Sequence, residues 1–88
     1  MIYFVIYDLK EPGQRYSELI EKIKSYEGWA KLGESCYLIK TEEEAVAIRN
    51  NLKTVLDSND KIYVGQTSTP AAWFNLPEEV SKWIKNNL

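Results

Sequence analysis

Six apolar residues stand in an unbroken row near the start of the chain, Ile2-Tyr3-Phe4-Val5-Ile6-Tyr7, rich in β-branched and aromatic side chains. A strand with one wet face alternates apolar and polar residues, whereas an uninterrupted run needs cover on both faces. The row therefore predicts a central strand over residues 2–7, flanked by other layers. The chain has 88 residues, enough for one hydrophobic core and too few for two. One domain must supply all of that cover.

Pro12 and Gly13 punctuate the exit from the strand. Tyr16, Leu19, Ile20 and Ile23 then recur at helical spacing, with Arg15, Glu18, Glu21, Lys22 and Lys24 on the opposite side, which predicts an amphipathic helix ending near Tyr26 and Gly28. Two short β-prone segments follow, Trp29 to Leu32 and Ser35 to Lys40, with Gly33 and Glu34 as the tight turn of a hairpin. Thr41 and Glu44 have the spacing of a capping box, so a second helix is expected to open there, with Ala45, Ile48, Leu52 and Val55 on one face. The polar cluster Asp57 to Asp60 reads as a turn before a short strand over Ile62 to Gly65. Leu76-Pro77-Glu78-Glu79 starts a last helix, with proline at its first position, acidic residues at the positive end of its dipole, and Val80, Trp83, Ile84 and Leu88 as its apolar stripe.

The predicted order is β-α-β-β-α-β with a terminal helix. Right-handed βαβ crossovers interlocked in this order give an α+β, ferredoxin-like sandwich, one antiparallel sheet with two helices on a single face. The expected division is a core over 1–66, a loop over 67–75 and a C-terminal helix over 76–88. The second face of the sheet then needs the terminal helix, a second copy of the chain, or both.

Composition narrows the chemistry. There is no histidine and Cys36 is the only cysteine, which excludes an internal disulfide and the usual zinc sets and makes a reducing, cytoplasmic location the expectation. No apolar run approaches the roughly 20 residues of a membrane span, and the start lacks the pattern of a signal peptide, so no membrane association is expected. Eleven Lys and Arg against thirteen Asp and Glu leave a net charge of -2, so the bulk basic character of a general nucleic-acid binder is missing. Aromatic residues make up 12% of the chain, a surplus that favours a covered surface and hence a dimer.

Asp8, where the apolar row stops, has two readings. A short carboxylate at a strand end bonds nearby backbone and starts a turn. Alternatively, Asp8 lies at a sheet rim where a two-fold axis brings its mate close, and two carboxylates with water and phosphate oxygens suit Mg²⁺ or Mn²⁺. Ser35 is either a hairpin residue or a hydroxyl placed near a phosphate or cation. Cys36 has no positioned base and reads as a small buried hydrophobe. Arg15, Lys31 and Arg49 are scattered cations, solvated faces or contacts to nucleic acid, and form no run. Glu42 to Glu44 serve the helix start or, less simply, a second cation. Trp73 and Phe74 are costly to leave in water and read as interface or core cover. The four glycines stand singly, so no phosphate-binding glycine loop is present.

Three pieces occur in a telling order: Tyr7-Asp8, then "ESCYLI" from Glu34 to Ile39, then "DSNDKIYV" from Asp57 to Val64. Together they resemble the Cas-Two family, small ferredoxin-fold dimers of CRISPR adaptation modules, and the related VapD-like ribonuclease toxins. The pattern "YDL…PG…Y..LI..I" over Tyr7 to Ile23, with a late Ala71-Ala72-Trp73, is similar to the SinR-family branch of that group. The resemblance spans nearly the whole chain and rests on the order of short motifs. It implies a homodimer, Asp8 as the metal-coordinating residue at the dimer axis, and Ser35 near that site. Members of the group are metal-dependent nucleases or non-catalytic dimers that hold DNA. This chain differs in lacking an arginine-rich first helix and in adding a terminal helix. Two readings stand: a Mg²⁺-dependent endonuclease acting on RNA ahead of DNA, or a non-catalytic dimer that binds a protein partner.

Overall fold

A computed structural model describes residues 1–10 and 16–88. Its elements are β1 (Ile2–Asp8), α1 (Tyr16–Lys24), β2 (Gly28–Gly33), β3 (Cys36–Lys40), α2 (Ala45–Leu52) with a 3-10 turn at Lys53–Val55, β4 (Lys61–Thr67) and α3 (Glu78–Asn87). Among the described residues this is a small α+β fold of one four-stranded sheet and three helices, in the element order expected from the sequence. The strands run in the order β2-β3-β1-β4, and every neighbouring pair is antiparallel. Among the described residues no helix is long and apolar enough to cross a membrane.

The apolar row of β1 is covered from both sides, as its lack of alternation requires. Tyr3, Val5 and Tyr7 join Tyr37 and Ile39 of β3 under Leu19 and Ile23 of α1 and Ile48 and Leu52 of α2. Ile2 points the other way and joins Ala30, Leu38, and Val80 and Ile84 of α3. The terminal helix thus covers part of the second face. It packs against β2 at one side of the sheet. Further along that face, Ile6 is 45% exposed and Tyr63 62% exposed. Phe4 and Tyr63 stack there with ring centroids 5.6 Å apart. Gly65 makes room for that stack, since a Cβ on it would come within 2.9 Å of the Tyr63 ring and 3.0 Å of the Phe4 ring.

Four local expectations are corrected. The hairpin turn is Glu34-Ser35, because Gly33 still pairs with Cys36 across a register shift after Lys31; Ser35 is therefore a turn residue and does not open β3. Thr41 and Glu44 form no capping box. The Thr41 backbone exchanges two hydrogen bonds of 3.0 Å with Met1, which ties it to the chain start just beyond the end of β3. Its hydroxyl accepts from the Glu43 N–H at 3.1 Å, while Glu44 caps α2 through no side-chain bond. Strand β4 extends beyond Ile62 to Gly65 at both ends, since it pairs with β1 from Asp8↔Lys61 to Ile2↔Thr67. Finally, in α3, Pro77 is the N-cap, one residue ahead of the helical position expected for it.

Candidate metal and nucleic-acid site

Asp8 closes β1, exposed, directly opposite Lys61 of β4. Cross-strand partners in an antiparallel pair share a face, and side chains alternate along a strand. Asp8 therefore lies on the same face as Ile2, Phe4 and Ile6, beyond the exposed Ile6 and Tyr63. The turn-holding role that a strand-end carboxylate could take belongs to Asp60 instead. One oxygen of Asp60 accepts from the Lys10 N–H at 2.8 Å and the other from the Asp57 N–H at 2.8 Å. Among the described residues, no hydrogen bond or ion pair holds the Asp8 carboxylate.

Ser35 is exposed in the β2–β3 turn, and its carbonyl accepts the Tyr7 N–H at 3.1 Å. That bond brings the backbone of Ser35 next to the residue preceding Asp8, so the two sequence candidates share one end of the sheet. Lys31 reaches the same end through Glu34 of that turn. Lys31 is on edge strand β2, with its ammonium 3.9 Å from Glu34. Arg49 is on α2, which packs over the opposite edge strand β4, and its Nε and Nη2 donate to Asn50 Oδ1 at 3.2 and 3.0 Å. Arg15 lies outside the described residues. Trp73 is half-buried against the cluster under α3 and donates from Nε1 to Ser81 Oγ at 3.0 Å, whereas Phe74 is 92% exposed. Cys36 is half-buried, and burial raises its thiol pKa, which keeps it protonated and unreactive.

No three His, Cys, Asp or Glu side chains gather to hold a metal ion among the described residues. One Asp8 per chain fits Mg²⁺ or Mn²⁺ in donor chemistry, a hard carboxylate oxygen, but makes a site only with oxygens from elsewhere.

Two groups that sequence reasoning passed over are placed near Asp8. The first is polar: an open hollow at this end of the sheet is lined by Asp8, Leu9, Lys10, Asn59 and Lys61. Asn59 reads in the sequence as a turn residue and Lys61 falls between that turn and the expected strand; the register of β4 against β1 places Lys61 here. The second is aromatic. The Tyr7 hydroxyl lies 3.2 Å from that of Tyr16 and 3.0 Å from the Glu34 carbonyl oxygen, and the Tyr16 hydroxyl donates to the same carbonyl. The rings meet edge to face, with centroids 5.7 Å apart. This contact ties the start of α1 to the β2–β3 turn and so fixes the loop carrying Ser35.

Burial first, and then the hydrogen bond with Tyr16, push the Tyr7 phenol pKa well above its ordinary value. Unfolded tyrosine ionises near pH ~10. The contribution of Tyr7 is therefore fully present below that pH and is lost as pH rises from there toward the folded value. Burial raises Tyr26 and Tyr37 as well, with the same sign. Urea midpoints measured from neutral pH to above ~10 are expected to fall for the wild type and to fall less steeply for Tyr7→Phe. Parallel curves would remove Tyr7 as a source of the alkaline loss.

The sequence matches no family model and no curated protein.

Proposed function

We propose that the chain acts as a homodimer of the ferredoxin-like, Cas-Two-like and VapD-like kind, and that it cleaves phosphodiester bonds with a divalent cation held by Asp8 from both copies. RNA is the favoured substrate over DNA. The observation that carries this reading is the position of Asp8. It sits, exposed and not engaged in holding a turn, at the end of a sheet face whose Ile6 and Tyr63 are 45% and 62% exposed. A second copy laid on that apolar strip would remove it from water, and a two-fold axis near its end would bring the two carboxylates together. The strand order β2-β3-β1-β4 with antiparallel neighbours supports the ferredoxin-like arrangement, since it is what two interlocked βαβ units produce.

Asp8 of each copy would hold Mg²⁺ or Mn²⁺. When bound, that cation would supply positive charge against a phosphoryl oxygen. The chain's own residues do the placing: the Ser35 carbonyl fixes the end of β1 through the Tyr7 N–H, and Tyr7 and Tyr16 fix the Ser35 turn in return. The Ser35 hydroxyl is then available to a substrate at the same rim.

The test is cleavage of labelled single-stranded RNA and duplex DNA by the purified full chain, with Mg²⁺ or Mn²⁺ and with EDTA. Cleavage that appears with metal and stops with EDTA is expected, faster on RNA. No cleavage of either substrate under any metal condition would refute the enzymatic reading. Phe74, 92% exposed, favours a second one, a non-catalytic dimer that docks a protein partner through this ring. Under that reading the dimer persists in solution and no nucleic acid is cut.

A further inference from the structure

We propose that Lys10, Asn59 and Lys61, beside Asp8, form a binding site for a phosphodiester backbone, which extends past the start of β4 toward Lys53 and Arg49. This rests on the nuclease reading above and names the residues that would hold its substrate. The open hollow, about 560 Å³, is polar and lined by Asp8, Leu9, Lys10, Asn59 and Lys61. Its two lysines come from different chain segments. Lys61 is fixed across from Asp8 by the strand register. Lys10 follows β1, and its backbone N–H is tied to Asp60 at 2.8 Å.

Lys61 also lines a second hollow, together with Arg49 and Lys53. Two hollows that share a cation form a track, and a track of spaced cations suits a chain of phosphates better than one small anion. Acidic groups face the same track. Asp57 and Asp60 line the second hollow, but the two oxygens of Asp60 each receive a backbone N–H, and Asp8 lines the first. The carboxylate of Asp8 repels a phosphate unless a cation balances it, so a divalent ion at Asp8 and a phosphate on Lys10 and Lys61 would help each other bind. Lysine, a mobile point charge, contacts phosphate without reading bases, so binding should be indifferent to sequence.

Fluorescence anisotropy of labelled single-stranded RNA and of duplex DNA with the full chain, in Ca²⁺ in place of Mg²⁺ so that the charge of Asp8 is balanced while cleavage is slowed, tests the site. Lys10→Ala combined with Lys61→Ala is expected to weaken single-stranded RNA binding about tenfold near 0.1 M salt and to flatten the dependence of log K on log salt by about 1.4, the share of two phosphate contacts. Lys85→Ala, on α3, which packs against β2 at the far edge of the sheet, should bind as the wild type does. Lys10→Arg with Lys61→Arg should retain most of the affinity, and all three lysines are exposed, so urea midpoints should stay level. A doubly substituted protein that binds with wild-type affinity and salt slope overturns the inference and leaves the cleavage reading standing. A wild type that binds neither nucleic acid overturns both, and the stronger of the two binding arms identifies the source of the phosphodiester.

Discussion

Asp8→Asn is expected to reduce metal-dependent RNA cleavage about a thousandfold while leaving the fold and the dimer intact. The amide keeps the size and shape of the side chain and removes its charge, so what is lost is the affinity of a hard oxygen pair for Mg²⁺ or Mn²⁺. Stabilisation of a phosphoryl transition state by a cation is worth several kcal/mol, and about 4 kcal/mol corresponds to a factor near 10³ in rate. Stability should hardly change, because Asp8 is exposed and Asp60, not Asp8, ties the neighbouring turn; substitutions at such positions usually shift stability by no more than about 0.5 kcal/mol. Equal cleavage by wild type and Asp8→Asn would take Asp8 out of the mechanism. A companion variant tests the pairing itself. With Cys36→Ser removing the native thiol, Asp8→Cys should be joined between copies by a short bis-maleimide, since two carboxylates sharing one cation can hold their Cα atoms beyond the roughly 7 Å that a disulfide needs. A variant that stays uncrosslinked while dimeric would place the two acids apart and favour the non-catalytic reading.

Much of the fold was legible because its signals are local. The unbroken row of β1 demanded two covered faces, and the spacing of Tyr16, Leu19, Ile20 and Ile23 set the buried stripe of α1. What was not legible depends on pairing between distant segments. Thr41 and Glu44 have the spacing of a cap, yet two backbone bonds tie Thr41 to Met1 beside the end of the sheet, and no propensity scale contains that partner. Lys61 falls between the expected turn and strand and Thr67 in the expected loop, until the register with β1 makes them the two ends of β4. The same holds at the site. Asp8 stood out because a carboxylate ends an apolar row, but Lys10, Asn59 and Lys61 carry no local mark, and Asp8 and Asp60 are equally plausible turn residues by type. Only the hydrogen bonds of Asp60 separate them. Trp73 and Phe74 show the same limit: adjacent aromatic residues, one bonded to Ser81 and half-buried, the other 92% exposed.

The stability of the whole arrangement depends on the helix-covered face, and α2 offers the cleanest measure of it. Ile48 has no exposed surface and sits with Leu52 against Tyr3, Val5 and Ile39, whereas Val46, two residues earlier on the same helix, is 59% exposed. Ile48→Ala should cost about 2–5 kcal/mol, the lost transfer energy of the removed atoms together with the cavity they leave. For a domain of this size each kcal/mol moves the melting temperature by roughly 4–8 °C, so a loss of tens of degrees is within range, and total stabilities of about 5–15 kcal/mol leave the variant near the limit of folding. Val46→Ala should change stability by no more than about 0.5 kcal/mol, because it leaves the buried contacts alone and alanine suits a helix better than a β-branched residue. Circular dichroism melts of the two variants beside the wild type decide the matter. Equal melting temperatures would mean that α2 does not seal this face of the sheet. A loss confined to Ile48→Ala would fix α2 as part of the scaffold on which β1 presents Asp8.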